Sequence, residues 1–249
     1  MRFVPVKSVD QQARLSWHRV REGYKAEGLA ISNRVRGLLA EFGVVVAQSD
    51  AALRKALADL PAVPASLIEL LGDLNRHWQQ VRERIAACDE RIKHHANADD
   101  RCARARAILG VGPITADALV ATVGSAQAFK NGRQLAAWLG LTPTQHSSGG
   151  RSRLGSISCR GDTYLRTLLI QGARSSLQRA KATPEQIWIQ SLAARLPFGK
   201  LLVAIANKHA RQLWAMLARG EHYDPDAWLK HPMVQRAAGR HAVSRTAMA

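Results

Sequence analysis

The sequence is short of acid. Only 19 Asp and Glu stand against 36 Lys and Arg in 249 residues, so the formal net charge is +17 and the pI is near 11.0. That imbalance points to a polyanionic partner, with nucleic acid first and an anionic membrane surface second. Cysteine is scarce as well. Cys88, Cys102 and Cys159 lie far apart and form no CxxC or CxxH pair, which argues against a structural zinc site. An odd count without a signal peptide fits a reducing cytoplasm, the expected location. Long apolar runs are missing: the stretch "LLVAIA" at Leu201–Ala206 is far short of the roughly 20 residues that span a bilayer. No alternation of strands and helices precedes residue 100, and no strand-borne carboxylate cluster is present. Asp89 and Glu90 flank a helix, Asp99 and Asp100 sit in a hinge, and Asp117 lies in an apolar helix. No metal-binding residue is therefore assigned.

What remains is not a disordered chain, since hydrophobic residues make up 47% of it. The expected fold is mainly α: a long helical coiled-coil segment, then a compact α-helical domain containing a helix–hairpin–helix. The first segment covers residues 1–100. Trp17, Val20, Tyr24, Ile31, Val35, Leu38 and Phe42 follow steps of three and four, and Gly43 supplies a stop. After Pro64, the series Leu67, Leu71, Leu74, Trp78, Val81, Ile85, Cys88 and Ile92 alternates four and three without a break. Such a heptad seam packs either on the first helix of the same chain or on a second chain. The polar tract "HHANADDR" at His94–Arg101 reads as a hinge. Adjacent His94 and His95 point about 100° apart on a helix, which makes a poor chelate. The compact domain is placed at 101–232, and a patternless tail at 233–249.

"AILGVGPITADALVATVG" (Ala107–Gly124) has the order of a helix–hairpin–helix. Gly110 and Gly112 open the turn, Pro113 suits the first helical position, and free N–H groups near Thr115 can meet a phosphate oxygen. Such a contact positions nucleic acid without reading its sequence. "NGRQLAAWLGLTP" (Asn131–Pro143) follows as a short packing helix. Then comes "QHSSGGRSRLGSISCRGDTYLR" (Gln145–Arg166), dense in serine, glycine and arginine. Its last residues start a helix that Asp162 can cap. Between Pro143 and Ala180 there are six arginines and one acid, Asp162. Clustered guanidiniums at Arg151, Arg153, Arg160 and Arg166 suit bidentate phosphate binding. Arg166 is expected off the apolar stripe of its helix, projecting towards the loop.

Several ordered motifs now carry a resemblance. The hairpin, "WLGLTP", Ser148-Gly149, Gly155-x-Ile157-Ser158-x-Arg160-Gly161 and Tyr164-Leu165-Arg166 resemble the C-terminal transposase domain of the IS110/IS1111 insertion-sequence family. The match is strong over about residues 100–180, and the opening segment resembles the family's helical middle. The resemblance implies a bacterial, nucleoid-associated DNA recombinase. Its serine attacks a DNA phosphate and becomes covalently linked to it. An N-terminal RuvC-like domain supplies carboxylates and Mg²⁺. A guide RNA directs the reaction, and subunits join through the coiled coil as a dimer or tetramer. Carried onto this chain, the nucleophile is Ser148, with Ser147 as the alternative. Arg160 and Arg166 would hold the scissile phosphate, and Gly149, Gly150 and Gly161 would let the backbone approach closely. The missing acidic set leads to the expectation of an N-terminally truncated chain, needing a RuvC-like domain in trans. Two other readings stand beside it: a DNA- or RNA-binding remnant without chemistry, and a general hairpin-containing repair or junction-binding protein.

Beyond residue 184 two helices are expected. Leu201, Leu202, Ile205, Leu213 and Leu217 share one face, Lys200, Lys208, His209 and Arg211 are available for backbone contacts, and Trp188, Trp214 and Trp228 are read as core.

Overall fold

A computed structural model of the chain describes residues 6–60, 63–146, 151, 153–178 and 184–225. Among these residues the fold is mainly α, with one small two-stranded sheet. The chain divides into two compact units, Ser8–His95 and one that begins at Ala96. The sequence pattern puts the division near residue 100. The expected tail at 233–249 and Trp228 lie outside the described residues.

The first unit is built from α1 (Val9–Glu41), α2 (Asp50–Ala58) and α3 (Ala65–Asn97). Ser8 starts α1 through a capping box: Gln11 N–H donates to Ser8 Oγ at 3.1 Å, and Ser8 N–H donates to Gln11 Oε1 at 2.9 Å. The helix ends in a Schellman turn, where Gly43 N–H reaches Ala40 O and Val44 N–H reaches Leu39 O, each at 3.0 Å. α1 and α3 run antiparallel, because contact partners fall in number along α3 as they rise along α1. Arg91 lies over the Trp17 ring, Arg21 pairs with Asp89, Arg84 lies over Tyr24, and His77 Nε2 meets Glu27 Oε1 at 2.9 Å. Ile31, Val35 and Leu39 of α1 share a core with Leu53 of α2 and with Leu67, Leu71, Leu74, Trp78 and Val81 of α3. The heptad seam is thus covered from within its own chain.

Two details differ from the sequence pattern. Trp17, Val20 and Phe42 are 38–47% exposed, and Leu39, not Phe42, closes the core. α1 carries two overlapping apolar stripes, and packing around α2 selects the one through Leu39. The pattern also gives no hint of α2, whose single buried residue, Leu53, leaves little periodicity to read.

The second unit contains α4 (Asp100–Ala105), α5 (Pro113–Val123), a 3-10 turn (Ala126–Ala128), α6 (Gly132–Trp138), the strands β1 (Pro143–Gln145) and β2 (Leu154–Ile157), α7 (Thr163–Gln178), α8 (Pro184–Ala193) and α9 (Phe198–Arg219). α5 is its axis, with every residue from Thr115 to Val123 buried. α9 spans the unit and touches α4, α6, α7, α8 and the 3-10 turn. Its indole at Trp214 donates to Ala126 O at 3.0 Å and to Phe129 O at 3.1 Å. Leu201, Leu202, Ile205 and Leu213 form its buried face as expected, with Leu217 half-buried.

Candidate functional site

Charge separates the two units. Residues 8–95 hold 13 Lys and Arg against 11 Asp and Glu, whereas 96–225 hold 17 against 7. The positive charge that would attract a polyanion is therefore concentrated in the second unit, and the first is close to neutral.

Within that unit, β1 and β2 form an antiparallel hairpin in which Pro143 faces Ile157 and Gln145 faces Leu154, with a register shift between them. Ser158 N–H donates to Thr142 O at 2.8 Å, and His146 N–H donates to Arg153 O at 2.9 Å. Thr144 Oγ1 donates to Ser156 O at 3.1 Å. The sequence pattern does not announce this hairpin, because its strands are short, polar and interrupted by glycine. Along the sequence, Ser147, Ser148, Gly149 and Gly150 join its two arms. These four, and Ser152, lie outside the described residues. Arg151, Arg153 and Arg160 are exposed, which leaves three cations on or beside the arms.

The hairpin's root is held tightly. Gly140 and Gly161 adopt φ of +72° and +94°. A Cβ on Gly140 would lie 2.1 Å from Arg160 O, and one on Gly161 would lie 1.8 Å from Trp138 O. No side chain fits at either place, so the end of α6 and the chain leaving β2 meet backbone to backbone. Arg166 locks the same junction. It is 7% exposed, and its guanidinium donates to Leu139 O at 3.1 Å, to Arg160 O at 3.5 Å and to Thr163 Oγ1 at 3.1 Å. Asp162 caps α7 as expected, accepting from Leu165 N–H at 2.9 Å. Arg166 therefore turns inward onto backbone carbonyls. The sequence pattern directs it towards the loop because it lies off the leucine stripe, but the Leu139 carbonyl it meets belongs to a stretch of chain 27 residues away.

The Gly110–Gly112 turn joins α4 to α5, closed by Val111 N–H to Ile108 O at 3.0 Å. Gly112 is the N-cap of α5, Pro113 is at its first turn, and open space surrounds Gly112. Gly110 faces inward against α7, and Thr115 is 6% exposed. Of the three residues proposed to grip phosphate there, Gly112 is the one with room for a ligand.

Among the described residues no group of three or more His, Cys, Asp or Glu is placed to hold a metal ion. The Mg²⁺ implied by the resemblance thus finds no fitting site in them. Among the same residues no helix is long and apolar enough to cross a membrane.

Residues 102–188 match the family model described as "Transposase IS116/IS110/IS902 family". A "Probable family 20 transposase" of Pseudomonas aeruginosa is 48% identical over 233 residues, covering 90% of this chain and 69% of that protein. The chain belongs to the IS116/IS110/IS902 transposase family. The transposase for insertion sequence element IS1111A of Coxiella burnetii is 36% identical over 233 residues, covering 90% of this chain and 63% of its own length. That for IS1328 of Yersinia enterocolitica is 34% identical over 225 residues, covering 88% and 67%. The chain therefore spans about two thirds of the length of these relatives. The stretch matched by the transposase family model contains the Gly110–Gly112 turn, the hairpin and the Arg166 lock together.

Proposed function

We propose that this chain supplies the DNA-binding and serine module of an insertion-sequence transposase. The observation that supports it best is the hairpin: a sequence run containing Ser147 and Ser148 joins two strands whose root is fixed by Gly140, Gly161 and Arg166, with exposed arginines beside it. A rigid root and cationic arms suit a loop that must meet a phosphate in one orientation.

In this reading Ser148 Oγ attacks the phosphorus of a DNA phosphodiester. An Oγ–P bond forms, the P–O bond to one sugar breaks, and that sugar oxygen leaves as a hydroxyl after taking up a proton. The serine proton passes to a base. Attack by a hydroxyl of another strand then releases the serine and rejoins the DNA. One phosphoester is exchanged for another at each step, so no energy source is consumed. Arg151, Arg153 and Arg160 neutralise the phosphate. A serine hydroxyl needs activation, and no carboxylate set for a metal exists among the described residues. That group would come from elsewhere, a RuvC-like domain being the expected source. Guide RNA and further copies of the chain are its other proposed partners.

The second reading, a nucleic-acid-binding protein without chemistry, is favoured by that same lack of a carboxylate set. A denaturing gel separates the two. The full chain is incubated with labelled element-end DNA, guide RNA and Mg²⁺, with and without a RuvC-like domain. A covalent band that Ser148→Ala abolishes supports the enzyme. Binding on a native gel with no covalent band in any mixture leaves the second reading.

A further inference from the structure

We propose that the cleft between α6 and α9 is a binding site for the phosphodiester backbone of nucleic acid, separate from the serine hairpin. This rests on the reading that the second unit binds nucleic acid. The cleft has a volume of about 300 Å³ and is lined by Asn131, Gly132, Arg133, Arg211, Trp214 and Ala215. Its walls are held at a fixed spacing. A Cβ on Gly132 would lie 2.8 Å from Arg211 Cα and 2.9 Å from Arg211 O, so the two helices touch through backbone. Trp214 lines the cleft and is held by its two indole hydrogen bonds. Arg133 and Arg211 come from different helices and line the same cleft. Both are exposed, and among the described residues neither is engaged by an acceptor. Other arginines are committed to partners: Arg82 to Asp50, Arg101 to Asp99 and Arg219 to Glu221. No carboxylate lines the cleft. Two guanidinium forks on a rigid, acid-free slot match a phosphate with several acceptor oxygens. Contacts from these guanidiniums to phosphate position a strand without selecting a sequence.

The test measures affinity of the full chain for labelled duplex DNA and duplex RNA over a salt series. The variants are Arg133→Gln, Arg211→Gln and the double change. Arg34→Gln is the control, because Arg34 is an exposed arginine of the first unit and its loss changes net charge equally. Each cleft variant is expected to weaken binding about five- to tenfold and to reduce the salt slope by about 1, with Arg→Lys restoring some of it. The double variant is expected to fall short of the product of the singles, since both forks serve one strand. Loss on both duplexes, or on one, supports the site and says which backbone it holds. Cleft variants that match the wild type or the Arg34→Gln control, while the wild type binds, overturn the site alone. A wild-type chain that binds neither duplex overturns the underlying reading as well.

Discussion

Gly110 and Gly172 meet face to face. A Cβ on Gly110 would lie 2.2 Å from Gly172 O, and a Cβ on Gly172 would lie 2.4 Å from Gly110 O. The turn before α5 thus rests directly on the backbone of α7. Gly172→Ala should cost about 1–3 kcal/mol, because the displaced atom is backbone and cannot rotate away. Gly112→Ala, in open space, should cost no more than about 1 kcal/mol. Thermal melting of the two variants checks the contrast. Equal melting temperatures would show that the turn yields.

Arg166 and Arg160 should separate stability from binding. Arg166→Ala strands the carbonyls of Leu139 and Arg160 and is expected to cost about 2–3 kcal/mol. Arg160→Ala removes an exposed cation and should leave the melting temperature in place while weakening DNA binding. Melting curves and a binding titration on both proteins test this. The assignment of Arg166 as a lock fails if its variant melts like the wild type and binds less DNA.

Leu74→Asp should unfold the first unit rather than merely separate one chain from another. Leu74 is 8% exposed within a single copy of the helical hairpin, and a buried unpaired carboxylate there costs more than about 4 kcal/mol. Circular dichroism should show lost helix. Full helicity with a smaller mass by light scattering would mean that the seam serves a partner chain.

The cysteines should differ in reactivity. Burial and neighbouring Asp89 raise the Cys88 thiol above its ordinary value, Cys102 is buried, and Cys159 is exposed. Alkylation of the native chain should label Cys159 first. The folded chain holds the Cys88 proton more tightly than the unfolded one. Its contribution is therefore intact below the ordinary thiol value of about 8.5 and declines as pH rises through that value towards the raised one. Cys88→Ala should flatten the fall in melting temperature across that window, and an unchanged fall would count against the shift.

The helices with regular periodicity were legible in the sequence. The Leu67–Ile92 series, the Asp162 cap and the Leu201–Leu213 face are each set by local spacing or by a side chain bonding three residues away. The hairpin and the Arg166 lock were not, because they depend on distant backbone. The sequence marks Gly161 as a place of close approach but not that Trp138 O fills it, and Gly140 carries no signal until Arg160 O arrives beside it. The cleft residues Arg133 and Arg211 lie 78 positions apart in the sequence, and only the touch at Gly132 brings them together. The sole signal available was a glycine at the start of a helix, where asparagine already supplied the cap.

The reach of α9 bears on how such an element decays. That helix braces the hairpin root through Asn207, whose amide donates to Leu141 O at 3.3 Å, and it closes over nearly every other helix of its unit. A nonsense mutation or frame-breaking insertion in the codons between Gln178 and Phe198 would therefore strip the second unit of its brace, though every motif up to Arg166 would survive intact in the genome.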